Sequence, residues 1–123
     1  MASTTLLKRR NQMDRKPFPE CHGGQGELDW TNVLARPDTD GHLVRYIHDD
    51  LLPPGVTIGE HEHKGNEEYY LILSGQGVMT LDGEPHEVGP GDVAAVFPGG
   101  SHGLANTGDE VMRILVVCAA APA

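Results

Sequence analysis

The sequence predicts an all-β protein of one domain, a sandwich or barrel of short strands behind an irregular N-terminal arm. Three observations carry this reading. The 123 residues include 16 Gly and 9 Pro, which break helices and build turns. From Trp30 onward at least seven short apolar runs follow one another, each bounded by turn residues. No segment sustains a helical period, and no apolar run approaches the roughly 20 residues of a membrane helix.

Residues 1–29 read as an arm, flexible in part. It contains Pro17-Phe18-Pro19, which cannot continue a helix. Next comes Cys21-His22-Gly23-Gly24-Gln25-Gly26, read as a flexible lead-in. A glycine loop that cradles phosphate needs a strand before it and a helix after it, and neither is evident. Residues 30–118 form the domain and 119–123 a tail. Within the domain, 43–48 is a strand and Leu51-Leu52-Pro53-Pro54-Gly55 a turn. Segment 56–62 is extended, and 67–74 is strongly strand-like. Gly75-Gln76-Gly77 turns into 78–81, and Asp82-Gly83 marks a tight hairpin returning through 85–88. Gly89-Pro90-Gly91 turns again into 93–97, and the β-branched run 111–117 closes the chain.

The formal charge of −9 is unevenly spread. Lys8, Arg9, Arg10, Arg15 and Lys16 lie in the first 16 positions, leaving residues 17–123 with 4 basic and 17 acidic groups. Such a body repels phosphate backbones and disfavours nucleic acid and highly anionic substrates. The first ten residues lack the apolar stretch of a signal peptide, so the cytoplasm is the expected compartment and no membrane partner is expected. Cys21 and Cys118 are too few for a disulfide framework and read as free thiols.

The chemistry concentrates at His61 and His63. Two residues apart on an extended segment, they face the same side. Glu68 follows beyond the polar turn Lys64-Gly65-Asn66, at the start of the next strand, so three ligands can reach one point. His102, in a separate Gly-rich turn, could close in as a fourth. Imidazole suits Zn, Fe, Cu and Ni, and carboxylate with water extends the range to Mn. Taken alone, His61-Glu62-His63-Lys64 reads more readily as a solvated polar hairpin than as a metal site.

The wider spacing adds a resemblance. Gly55-x5-His61-x-His63-x4-Glu68-x6-Gly75 resembles the first signature motif of the cupin superfamily, and Gly91-x5-Phe97-x-Gly99-x2-His102-x3-Asn106 resembles the second. Phe97 stands where the family pattern has proline, with Pro98 next to it. The resemblance spans roughly 42–118 and implies a double-stranded β-helix, the jelly-roll cupin barrel. It also implies that His61, His63, Glu68 and His102 hold one divalent metal ion per chain (Mn, Fe, Ni, Co or Zn). A homodimer is the implied assembly.

Four protein ligands on an octahedral ion leave two positions for water or a small-molecule substrate. The resemblance thus implies a metal-dependent enzyme (dioxygenase, isomerase, decarboxylase or lyase). A non-catalytic binding or sensing barrel is the alternative, since one fold hosts both. Tyr70 shares the strand face of Glu68, and Tyr46 and His48 share a face on an earlier strand. These are the candidate catalytic residues: either tyrosine as a proton donor and His48 as an acid or base. Core packing of the tyrosines and an exposed His48 are the competing expectation.

Overall fold

Side-chain alternation along the last strand shows how the core is assembled. In the computed structural model, which describes residues 4–121, Met112, Ile114, Val116 and Cys118 are buried while the residues between them are not. This strand runs through the middle of a six-stranded sheet. In chain order its members are β1 (Asp14–Pro19), β2 (Glu27–Leu34), β3 (Val44–Leu52), β5 (Glu67–Ser74), β8 (Val93–Val96) and β10 (Met112–Ala119). They lie in the order β1-β2-β3-β10-β5-β8. The second sheet holds β4 (Thr57–Glu62), β6 (Gly77–Leu81), β7 (Glu84–Val88) and β9 (Ser101–Ala105), ordered β4-β9-β6-β7. All the pairings are antiparallel.

The inner faces of the two sheets meet in one core. Leu28, Leu52, Tyr70, Ile72, Ile114 and Val116 come from the larger sheet, and Ile58, Met79 and Leu104 from the smaller. Each fully buried aliphatic side chain contributes roughly 1.5–3 kcal/mol through the water it releases. The chain is thus the jelly roll expected of it. The Asp82-Gly83 hairpin also forms as expected, with φ of +48° and +82° at its two central residues, the combination a type I′ turn requires.

Three local expectations are corrected. The arm is not irregular throughout, because residues 14–19 form β1, paired with β2 from Asp14↔Asn32 to Pro19↔Glu27. Every residue of β1 is exposed, so it needs no apolar alternation and leaves no period in the sequence. Its prolines are tolerated because it is an edge strand. The next strand, β2, begins at Glu27, three residues before Trp30.

The lead-in over 20–26 is a strap seated on β4. Thr57 donates its backbone N–H to Gln25 O at 2.9 Å, and Gln25 N–H donates to Thr57 Oγ1 at 2.8 Å. The approach is so close that a Cβ on Gly24 would lie 2.2 Å from Thr57 O, and one on Gly59 2.1 Å from His22 O. His102 is likewise not in a turn but on β9, a five-residue strand masked by the glycines and proline before it. Residues 1–3 of the arm and 122–123 of the tail lie outside the described residues.

Candidate metal centre

Strand pairing brings the four predicted ligands together. His61 sits directly across from His102 in the β4–β9 ladder, and His63 follows one residue past the end of β4. Glu68 enters from the facing sheet on β5, directly across from Cys118 of β10. One ligand atom from each of His61, His63, Glu68 and His102 lies within 4.8 Å of all the others. His102 Nε2 is 3.1 Å from both His61 Nε2 and His63 Nε2. Glu68 Oε1 is 3.0 Å from His102 Nε2, 3.2 Å from His63 Nε2 and 3.9 Å from His61 Nε2.

These separations fit a divalent ion. At metal–ligand distances of about 2.1 Å, adjacent octahedral ligands lie about 3.0 Å apart and opposite ones about 4.2 Å. The short contacts match adjacent positions, and the His61–Glu68 separation approaches the opposite one. The rings are also held in the right tautomer. His61 Nδ1 donates to Gly59 O at 2.8 Å and His63 Nδ1 to Asn66 Oδ1 at 2.6 Å, which leaves each Nε2 lone pair free for a metal. His102 is fully buried, and its Nδ1 has no hydrogen-bond partner among the described residues.

Glu68 is buried beside the three imidazoles. Burial pushes its carboxyl upward, but the neighbouring His102, His61 and Tyr46 outweigh that and hold it far below the usual carboxylate range. The same burial lowers His102. A permanent carboxylate among neutral imidazoles is the donor set of a cation site.

Next to this cluster lies a cavity of about 90 Å³, room for a few water-sized groups. Tyr46, His48, Asp50, Glu68 and Tyr70 line it, and Cys21 and His22 of the strap close one side. A wider cleft of about 660 Å³, bordered by Leu6, Pro37, Thr39 and His42, contains none of the four ligands.

The structure places the three candidate catalytic residues on the cavity wall. Tyr46 donates its hydroxyl hydrogen bond to Glu68 Oε2, and its ring stacks on His48 at 4.4 Å. The Tyr70 ring lies 4.5 Å from that of His102. Burial and the nearby Glu68 charge raise both tyrosines well above the usual phenol range. Burial lowers His48 to about 4, so it is neutral at neutral pH.

Two residues of the wall were not foreseen. Asp50 shares the β3 face of Tyr46 and His48, so strand alternation alone could have added it. Its carboxyl is raised to about 8 by burial, then by the charges of Asp49 and Glu68. His22 stacks on His61 at 3.5 Å with an interplanar angle of 11°. No local sequence pattern signals this contact, which depends on the strap folding back over β4.

Comparison with known proteins agrees with this architecture. A family model described as a cupin domain matches residues 50–118. The chain is 31% identical over 114 residues to the "Oxalate-binding protein" of Thermotoga maritima, covering 93% of each. A crystal structure described as a predicted oxalate decarboxylase, also from Thermotoga maritima, superposes with a TM-score of 0.83 at 29% identity, covering 94% of this chain and 99% of that one. A Cupin 2 conserved barrel domain protein from Salinispora arenicola shares the fold, with a TM-score of 0.65 at 22% identity over 96% of this chain and 89% of that one. With two facing sheets, both signature motifs in place and their four donors gathered at one point, this chain belongs to the cupin family.

Proposed function

We propose that this chain holds one divalent metal ion through His61, His63, Glu68 and His102, and acts there on a small carboxylic acid of the oxalate class. The observation that carries the reading is the octahedral spacing of the four donors beside a cavity large enough for only a small molecule. The kinship with an oxalate-binding protein and a predicted oxalate decarboxylase supports the substrate class.

The acidic surface disfavours anions in general, but the cavity wall is different. At neutral pH His48 and Asp50 are uncharged, the tyrosines keep their protons, and burial holds the Cys21 thiol up at about 11. A small anion entering this space meets one carboxylate, Glu68, and that one is committed to the metal set. A bound Mn, Fe, Co, Ni or Zn ion would supply a Lewis acid for the substrate's carboxylate oxygens. The chain's own residues do the rest: Gly59 and Asn66 orient two imidazoles, Tyr46 orients Glu68, and His22 with Cys21 shields the cavity from bulk water.

A non-catalytic oxalate-binding barrel is the second reading. It is favoured by the engagement of Tyr46 with Glu68 and by the neutral, stacked His48, which leave few free proton donors on the wall. Elemental analysis of protein purified without chelator, beside the His61→Ala/His63→Ala variant, tests the metal. Incubation of the loaded protein with ¹³C-oxalate then separates the readings. Conversion of hydrogen oxalate to CO₂ and formate marks an enzyme, and calorimetric binding without turnover marks a binding protein. No metal in either sample, and none taken up on titration, would sink the metal site and leave a metal-free ligand-binding barrel.

The assembly we propose is a homodimer. Leu71, Leu73, Val93 and Phe97, on or just past the neighbouring strands β5 and β8, are all exposed. Light scattering of wild type beside Leu71→Glu/Val93→Glu tests it, with a shift from dimer to monomer mass expected.

A further inference from the structure

Asp50 is a group on the cavity wall whose position the metal site does not explain. It lies on β3, across from Trp30 of β2 and Ile114 of β10, and is 3% exposed. The wall it shares holds the apolar Leu28, Ile58 and Val116 and the polar His48, Glu68 and Tyr70. Its Oδ1 is buried with no hydrogen-bond partner among the described residues. The adjacent Asp49 is a contrast, because its carboxylate accepts from both Arg113 and Arg10. A buried carboxyl oxygen without a partner is destabilising and calls for an explanation, such as a ligand that pairs with it.

We propose that Asp50 is a specificity-determining residue of this site: its carboxyl donates a hydrogen bond to the far carboxylate of a dicarboxylate whose near end lies at the metal ligands. The proposal rests on the oxalate-class reading and adds to it the reason a second carboxylate is required. Burial favours the neutral carboxyl, the form that carries a donor proton. A neutral acid facing an anion makes a charge-assisted hydrogen bond, roughly twice as strong as a neutral one. An ionised aspartate in the same place would repel the anion instead. A monocarboxylate held at the metal would leave Asp50 unpaired, so the wall discriminates by what it would otherwise bury unsatisfied.

The test is calorimetric binding of oxalate and of acetate to the full chain loaded with Mn²⁺, in wild type and in the Asp50→Asn, Asp50→Ala and Asp50→Leu variants. Asn keeps a donor, whereas Ala and Leu remove it, and Leu also fills the space if Ala unfolds. Oxalate should bind about 10- to 100-fold more weakly to the Ala and Leu variants and within about 3-fold of wild type to the Asn variant. Acetate should bind all four proteins alike. Oxalate binding unchanged in Ala and Leu, a loss in Asn equal to that in Ala, or a parallel loss for acetate overturns the assignment while the metal-site reading stands. Absence of oxalate binding to loaded wild type overturns both together.

Discussion

The hydroxyl of Tyr46 and the carboxylate of Glu68 divide the work of two sheet strands: Oε2 of Glu68 accepts from Tyr46 on β3, and Oε1 faces His63 and His102. One oxygen is thus anchored so that the other is aimed. Tyr46→Phe keeps the ring and its stacking on His48 but removes the anchor. Metal affinity should fall about 10- to 100-fold, as for other outer partners of metal ligands. Competition with a fluorescent chelator measures it, and unchanged affinity would show that Glu68 is aimed by packing alone.

Asp50 makes the metal-free protein sensitive to base. Its folded value, about 8, lies above the ordinary aspartate value of 3.8, so the folded state holds the proton more tightly than the unfolded one. Its contribution is fully present below about pH 4 and is lost as pH rises toward 8. Asp50→Asn should flatten this decline and raise the melting temperature at pH 8. Thermal melts of chelator-treated protein across pH 5 to 9 test it, and parallel profiles for the two proteins would refute it.

Asp49 has the opposite sign. The Arg113 hydrogen bond, with help from Arg10, holds its carboxyl below the ordinary range despite burial. Its stabilisation is present at neutral pH and lost as pH falls through that lowered value. Because both arginines are half-exposed and solvent-screened, Asp49→Asn should cost about 1–2 kcal/mol in urea unfolding at pH 7. The difference should shrink near pH 3.

Gly59→Ala would force the strap off β4, since its Cβ would lie 2.1 Å from His22 O. The His22–His61 stack should be lost and the cavity opened, while the four ligands stay in place. Limited proteolysis within 20–26 should become faster than in wild type, with metal content retained. Unaltered cleavage would mean the strap tolerates the displacement.

The convergence of the four donors was legible because a motif spacing encodes strand alternation. His61, His63 and Glu68 lie close in sequence, and β5 was bounded from its apolar run at the residues where it forms. Tyr46, His48 and Tyr70 followed from parity on the same grounds. The arm was illegible for the opposite reason. β1 buries nothing, so hydrophobic pattern says nothing of it, and His22 meets His61 only through a backbone approach between two glycines. Sequence pattern records what faces the core, and contacts made by exposed or side-chain-free segments fall outside it.

β1 also bears on how the protein survives at high concentration. It ends the larger sheet with Pro17 and Pro19, residues with no N–H to offer a foreign strand, and β8 ends the other side after only four residues. Neither margin is a good template for strand-by-strand growth. The strand just before the cavity-closing strap therefore guards the molecule against fibrillar aggregation, and trimming the chain before Glu27 would expose β2 as a longer, proline-free margin.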